Sequence, residues 1–265
     1  MIKTKSKSFK VISALISVLF WILVWALLSY KINLELLLPD PISTVSALVR
    51  MARTADFWIT AGASLLRILK GILIAVLLGT LMSVFTAKLD AAEALLSPVM
   101  TVIKATPIAS FIILAMLWFK DRGDLPVFIT VLIVLPIVWA NVSAGIRSVD
   151  KALLDVAKIY KFSFAKRIFR IYVPSVVPYF LAACRASLGM AWKAGIAAEV
   201  LCTPKNAIGT QIYYSKTYLE TTELFAWTLT VILLSVIIEK VLIFGLGKLT
   251  QKLRVSRTEA KNAEA

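Results

Sequence analysis

The chain has 265 residues, 60% of them hydrophobic, with no histidine and thirty Lys and Arg against fifteen Asp and Glu, a formal net charge of +15 at pH 7. Hydrophobicity on this scale lies outside the range of a soluble domain and puts the core in lipid. The cations lie mostly at the ends of apolar runs, which excludes a nucleic-acid surface, and the missing histidine removes His-based acid–base chemistry and His metal sites. Lys3, Lys5, Lys7 and Lys10 precede an apolar run from Val11 to Ser29. Its length of about 19 residues suits a spanning helix better than a signal peptide, and no small-x-small cleavage site follows, so a retained first span is expected. Leu38-Pro39-Asp40-Pro41 is a turn signal, and residues 44–51 read as a short amphipathic helix on the outer surface. Hydropathy then sets spans at about 64–87, 95–119, 125–145, 174–201 and 224–247, six in all.

Lys and Arg are retained on the cytoplasmic side of a membrane. With the amino terminus inside, the inner flanks hold seventeen basic residues and the outer flanks seven, so both termini are expected in the cytoplasm. The fold expected is all-α and polytopic: a single membrane unit over residues 11–253, a basic segment 1–10 before it and a tail 254–265 after it.

Several polar features lie inside the spans. Lys104-Ala105-Thr106-Pro107 interrupts the third, and Pro136 interrupts the fourth. Such prolines serve packing, or they expose backbone and hydroxyls, here Thr106, Pro107 and Ser110, to a solute path. In the fifth span Arg185, Gly189 and Lys193 share one helical face, with Glu199 further along. Charges at that depth either pair, with Glu199 or another carboxylate, or face an aqueous cavity. Cys184 and Cys202 read as small buried side chains, and no motif for a cofactor is present. Without a Gly-x-x-x-x-Gly-Lys-Ser/Thr loop the chain has no P-loop for ATP.

Between the fourth and fifth spans the chain is polar but ordered. Residues 150–178 place Leu153, Ala157 and Tyr160 at helical spacing, break at Lys161-Phe162, offer Ser163 as a cap, and resume with Phe164, Ile168 and Ile171. The charge count puts this stretch on the cytoplasmic side. A pair of short amphipathic helices there needs an apolar surface to dock on.

This stretch resembles the loop of the permease subunits of bacterial ATP-binding-cassette importers, which carry Glu-Ala-Ala, three residues, Gly, nine residues and Ile-x-Leu-Pro. Here Asp155-Val156-Ala157, Lys161 and Ile171-Tyr172-Val173-Pro174 keep both spacings. Lys161 departs from the pattern at the glycine position, where a positive φ would strain a lysine. Leu38-Pro39-Asp40-Pro41, the Ala144 to Asp150 segment and the Arg185 to Glu199 segment are similar to the nitrate/sulfonate/taurine branch, so the likeness covers residues 38–253. The resemblance implies a non-catalytic permease in the cytoplasmic membrane. Its partners would be a second permease subunit in a homodimer, two ATPase subunits that carry ATP hydrolysis, and an external solute-binding protein. Asp155, Val156, Ala157, Lys161, Ile171 and Pro174 would couple to the ATPase. The solute would be a small organic anion such as a sulfonate, or nitrate or a related nutrient; independently of the resemblance, the three cations Lys104, Arg185 and Lys193 in or beside the spans point to a path that favours an anion. The alternative is a stand-alone secondary transporter, which requires an inverted repeat and carboxylates at mid-membrane; a membrane-embedded enzyme would need a catalytic constellation, and none assembles from the motifs.

Overall fold

The computed structural model describes residues 7–262; Lys3 and Lys5 of the basic segment and residues 263–265 of the tail lie outside the described residues. Among the described residues the secondary structure is helical throughout: eleven α-helices and one π turn, with no strand. Helix α1 (Lys7–Ile32) exceeds the expected first span at both ends. Asn33, at φ 49°, ends it, a conformation that asparagine tolerates. The helix is exposed over most of its length and is tied down near its end, where Trp25 Nε1 donates to the Pro39 carbonyl at 3.0 Å and Ser29 Oγ to that of Leu38 at 2.9 Å. The Pro-Asp-Pro turn then starts α2 (Pro41–Ala52): Asp40 accepts from the Ser43 amide at 3.0 Å, and Pro41 opens the helix, where its missing N–H costs nothing.

Helix α3 (Ala55–Lys88) is capped by Thr54, and its 34 residues reach about 51 Å. It packs with α6 (Leu125–Arg147) and α9 (Val173–Cys202) into the central bundle. Small residues bring these helices together: a methyl on Gly71 would lie 2.7 Å from Thr130 Cβ and 2.9 Å from the Val127 carbonyl, and one on Gly195 2.6 Å from Ile68 Cγ1. Close approach through small residues is what holds helices together in lipid, where burial of apolar surface gives no net drive. Replacing Gly71 by leucine is therefore expected to cost about 1–3 kcal/mol through overpacking, read as a lowered Tm of the protein in nanodiscs.

The same contacts fix the topology. Gly71 meets Thr130, Gly79 meets Val138, and Ser83 Oγ donates to the Trp139 carbonyl at 3.0 Å, so α3 and α6 run parallel. Gly145 meets Tyr179 while Gly195 meets Thr130, so α9 runs antiparallel to both. Two parallel spans need an odd number of crossings between them. The connection is α4 (Asp90–Ala105) and α5 (Ile108–Trp118), bent by 107° at their junction, so this pair together makes one broken span. With α1, α3, α6, α9 and α11 (Thr221–Asn262), all long and apolar enough to cross, the described residues make six spans when the bent pair counts as one.

Only one of the two expected proline interruptions is a break. At Thr106 and Pro107 the backbone is extended (ψ 132° and 133°), because proline has no backbone N–H to donate and disfavours helix in the residue before it. Thr106 Oγ1 donates to the Val102 carbonyl at 2.8 Å. Pro136, by contrast, is buried inside an unbroken α6. That helix is clamped between α3 and α9, and neighbouring helices hold a membrane helix together at a proline. The long α11 returns along the bundle, with Phe57 of α3 stacked on Trp227 at 5.1 Å and Trp192 Nε1 of α9 donating to the Val231 carbonyl at 3.1 Å. One end of the bundle thus gathers α2, the α5–α6 turn and α10 (Ile208–Thr217); the other gathers Lys88, Glu93, Arg147 and the polar stretch.

Candidate functional site

The polar stretch folds as a helical hairpin. Asp150 caps α7 (Lys151–Ile159) by accepting from the Ala152 amide at 2.9 Å. The helix ends with two bonds, Phe162 N–H to the Ala157 carbonyl at 2.8 Å and Lys161 N–H to the Lys158 carbonyl at 3.0 Å, with Lys161 at φ 47°. This is a Schellman ending, whose residue after the cap is left-handed and usually glycine. The lysine therefore keeps the turn that the motif's glycine makes. Ser163 then caps α8 (Phe164–Arg167), accepting from the Lys166 amide at 3.4 Å, and α8 runs through a π turn (Ile168–Tyr172) into α9 without interruption. The result is one continuous 39-residue rod from the hairpin through the bundle.

Two faces of the hairpin differ. Ala157, Val149 and Ile171 form a small buried cluster, with Leu154, Phe162 and Tyr172 against it, and this holds α7 to the base of the rod. Leu153, Val156, Ile159, Tyr160, Phe164 and Phe169 point outward and are 46–76% exposed. The two expected stripes are therefore divided: Leu153, Tyr160 and Phe164 face out, while Ala157 and Ile171 face in. Of the motif residues, Asp155 and Lys161 are exposed, Val156 is half-exposed and Pro174 half-buried. Asp155 pairs with Lys158 at 3.0 Å. Lys88 at the end of α3 lies 5.6 Å from the centre of the Phe164 ring, and Arg147 of α6 pairs with Glu93 of α4, so the hairpin and the broken span are anchored at the same end of the bundle.

Arg185, Gly189 and Lys193 lie on an exposed stripe of α9, and Lys104, Pro107 and Ser110 are exposed around the α4–α5 break, with Thr106 partly covered. Packing of Ile112 and Ala115 of α5 against Ala194, Ala198 and Cys202 of α9 sets the break beside that helix. Among the described residues Lys104, Arg185 and Lys193 have no ion pair or hydrogen bond. Of the alternatives left open for these charges, pairing with Glu199 does not occur, because Arg67 takes that carboxylate.

Arg67 lies on α3. Glu199 is fully buried; one carboxylate oxygen accepts from Ser64 Oγ at 2.7 Å and the Gly209 amide at 3.2 Å, and the other from Arg67 at 3.3 Å. Arg67 also donates to the Asn206 and Lys205 carbonyls at 2.9 and 2.6 Å, and Ser64 Oγ accepts from the Ile208 amide at 2.9 Å. This latch binds α3, the end of α9 and the 203–207 loop at the end opposite the hairpin. Its sequence signal was the position of the two charges: Arg67 early in one span and Glu199 late in an antiparallel one stand at the same depth.

Residues 71–255 match the family model described as "Binding-protein-dependent transport system inner membrane component". The chain is 25% identical over 189 residues to the putative aliphatic sulfonates transport permease protein SsuC of Bacillus subtilis, covering 71% of this chain and 68% of that one. It is 24% identical over 164 residues to the bicarbonate transport system permease protein CmpB of Synechococcus elongatus, covering 61% of this chain and 59% of that one. A crystal structure of an amino acid ABC transporter with histidines superposes with a TM-score of 0.55 at 16% identity, over 73% of this chain and 94% of that one, which is a likeness of fold. With most of its length matched, and with six spans and the motif hairpin in place, the chain belongs to the family of binding-protein-dependent transport system inner membrane components.

Proposed function

We propose that the chain forms the membrane path of an ATP-driven importer in the bacterial cytoplasmic membrane, and that the hairpin over residues 150–172 is where a separate ATPase subunit engages it. The observation that carries this reading is the hairpin itself: an exposed apolar face, a buried base at Ala157 and Ile171, and a continuous rod into α9. A surface helix pair meant for lipid has no need of such a rod; a lever does. The seventeen basic residues of the inner flanks, against seven in the outer ones, support a cytoplasmic hairpin and cytoplasmic termini. An external binding protein would then deliver solute at the latch end. Two copies of the chain would enclose the path, with residues 11–253 as the membrane unit and 254–265 as a cytoplasmic tail. Closure of the paired ATPases around ATP would push the hairpins together and rock the bundles outward; hydrolysis would return them.

The solute proposed is a small anion. Lys104, Arg185 and Lys193 lack partners among the described residues, and unpaired cations within a span are tolerated where they face water or a ligand. Relatives named for sulfonates and for bicarbonate agree with that charge. Glu199 is engaged on both oxygens, which speaks against its serving as a free ion-coupling carboxylate of a secondary transporter. Arg185→Ala and Lys193→Ala are each expected to cut uptake of sulfonate or bicarbonate about tenfold, with the ATPase rate retained. Unchanged transport of every accepted solute by both variants would remove the anion assignment.

A further inference from the structure

The hairpin is not only apolar. Residues 150–172 carry six cations and two carboxylates. Asp150 is used as a helix cap and Asp155 is paired with Lys158, while Lys166 lies 4.2 Å from the centre of the Phe162 ring. Lys161 has no such partner among the described residues and stands at the apex, between the exposed Tyr160 and the half-buried Phe162. Its backbone is left-handed at φ 47°, a conformation that strains a side-chain-bearing residue and costs glycine almost nothing. A surface that covers Tyr160 must also take the neighbouring ammonium out of water. An ammonium buried without a counter-charge is strongly unfavourable, so an apolar groove alone would not accept this tip.

We infer that the ATPase groove that receives the hairpin has an apolar floor and a carboxylate at its rim opposite Lys161, and that this pair selects the ATPase subunit with which the permease assembles. The inference rests on the docking role proposed above. The glycine of the motif gives the turn alone; the lysine gives the turn and a charge that discriminates among partners.

The test titrates the full-length permease, in nanodiscs of neutral phosphatidylcholine, with the ATPase subunit of the same importer, between about 0.05 and 0.5 M salt. Wild-type binding should weaken as salt rises. Lys161→Gly relieves the backbone and keeps the turn, yet should bind about tenfold more weakly with a shallower salt dependence. Lys161→Glu should bind more weakly still, and Lys161→Arg should match wild type. Wild-type affinity and salt dependence in both the Gly and Glu variants would overturn the inference. Ala157→Trp separates the two claims: if it weakens binding while Lys161→Glu does not, docking stands and the charge pair falls, and if neither changes binding, both fall. An effect of Lys161→Glu confined to discs containing anionic phosphatidylserine would assign the lysine to lipid and likewise overturn the pair.

Discussion

Glu199→Ala is expected to be the most destabilising single substitution in the spans. It leaves the Arg67 guanidinium, whose side chain is 20% exposed, without its carboxylate, and it removes the acceptor of Ser64 Oγ and of the Gly209 amide. Breaking a buried pair from one side typically costs about 3–5 kcal/mol, because the surviving charge remains desolvated. Thermal unfolding in nanodiscs should show a Tm lower by roughly 6–20 °C on the usual size scaling. A double variant, Arg67→Ala with Glu199→Ala, should lose less than the sum of the two single losses. Additive losses, or a wild-type Tm for Glu199→Ala, would mean that the latch is not an energetic unit.

Ala157→Trp should have the largest effect on transport. Ala157 is 1% exposed, on the face of α7 that packs against Val149 and Ile171 at the base of the rod, and an indole there would overfill the cluster. The overpacked hairpin must open at its base, at about 1–3 kcal/mol, and lose the geometry that links its outer face to α9. ATP-driven uptake should fall by two orders of magnitude or more. The protein should stay in the membrane with its Tm little changed, because the central bundle of α3, α6 and α9 is not touched. Asp155→Lys should act on the same step more mildly, since Asp155 lies on the surface and its pair with Lys158 is solvated. Normal uptake in the Ala157→Trp variant would remove the hairpin from the coupling path.

Much of the architecture is legible in the sequence because lipid imposes simple rules. Runs long enough to cross are visible, and so are the turn at Leu38-Pro39-Asp40-Pro41 and the Ser163 cap, whereas the capping roles of Asp40 and Asp150 emerge only in the structure. The Thr106-Pro107 break was visible as well. What one sequence cannot display is which neighbours a helix has. Pro136 looks like Pro107 in one dimension, and only the packing of α6 between α3 and α9 keeps the first inside a helix. Arg67 and Glu199 are 132 residues apart, and their pairing depends on an antiparallel register. Periodicity located the stripes of the hairpin but not their division between an inner and an outer face, because α7 is small enough to be apolar on both sides. The strain at Lys161 was readable from the motif, since the position was already known to call for glycine.

Reconstitution tests the central claim most directly. In proteoliposomes containing the permease, its ATPase subunit and its solute-binding protein, uptake should require ATP and all three proteins, and the permease alone under any ion gradient should carry nothing. Solute accumulation by the permease alone, driven by a proton or sodium gradient and indifferent to the ATPase, would contradict the account.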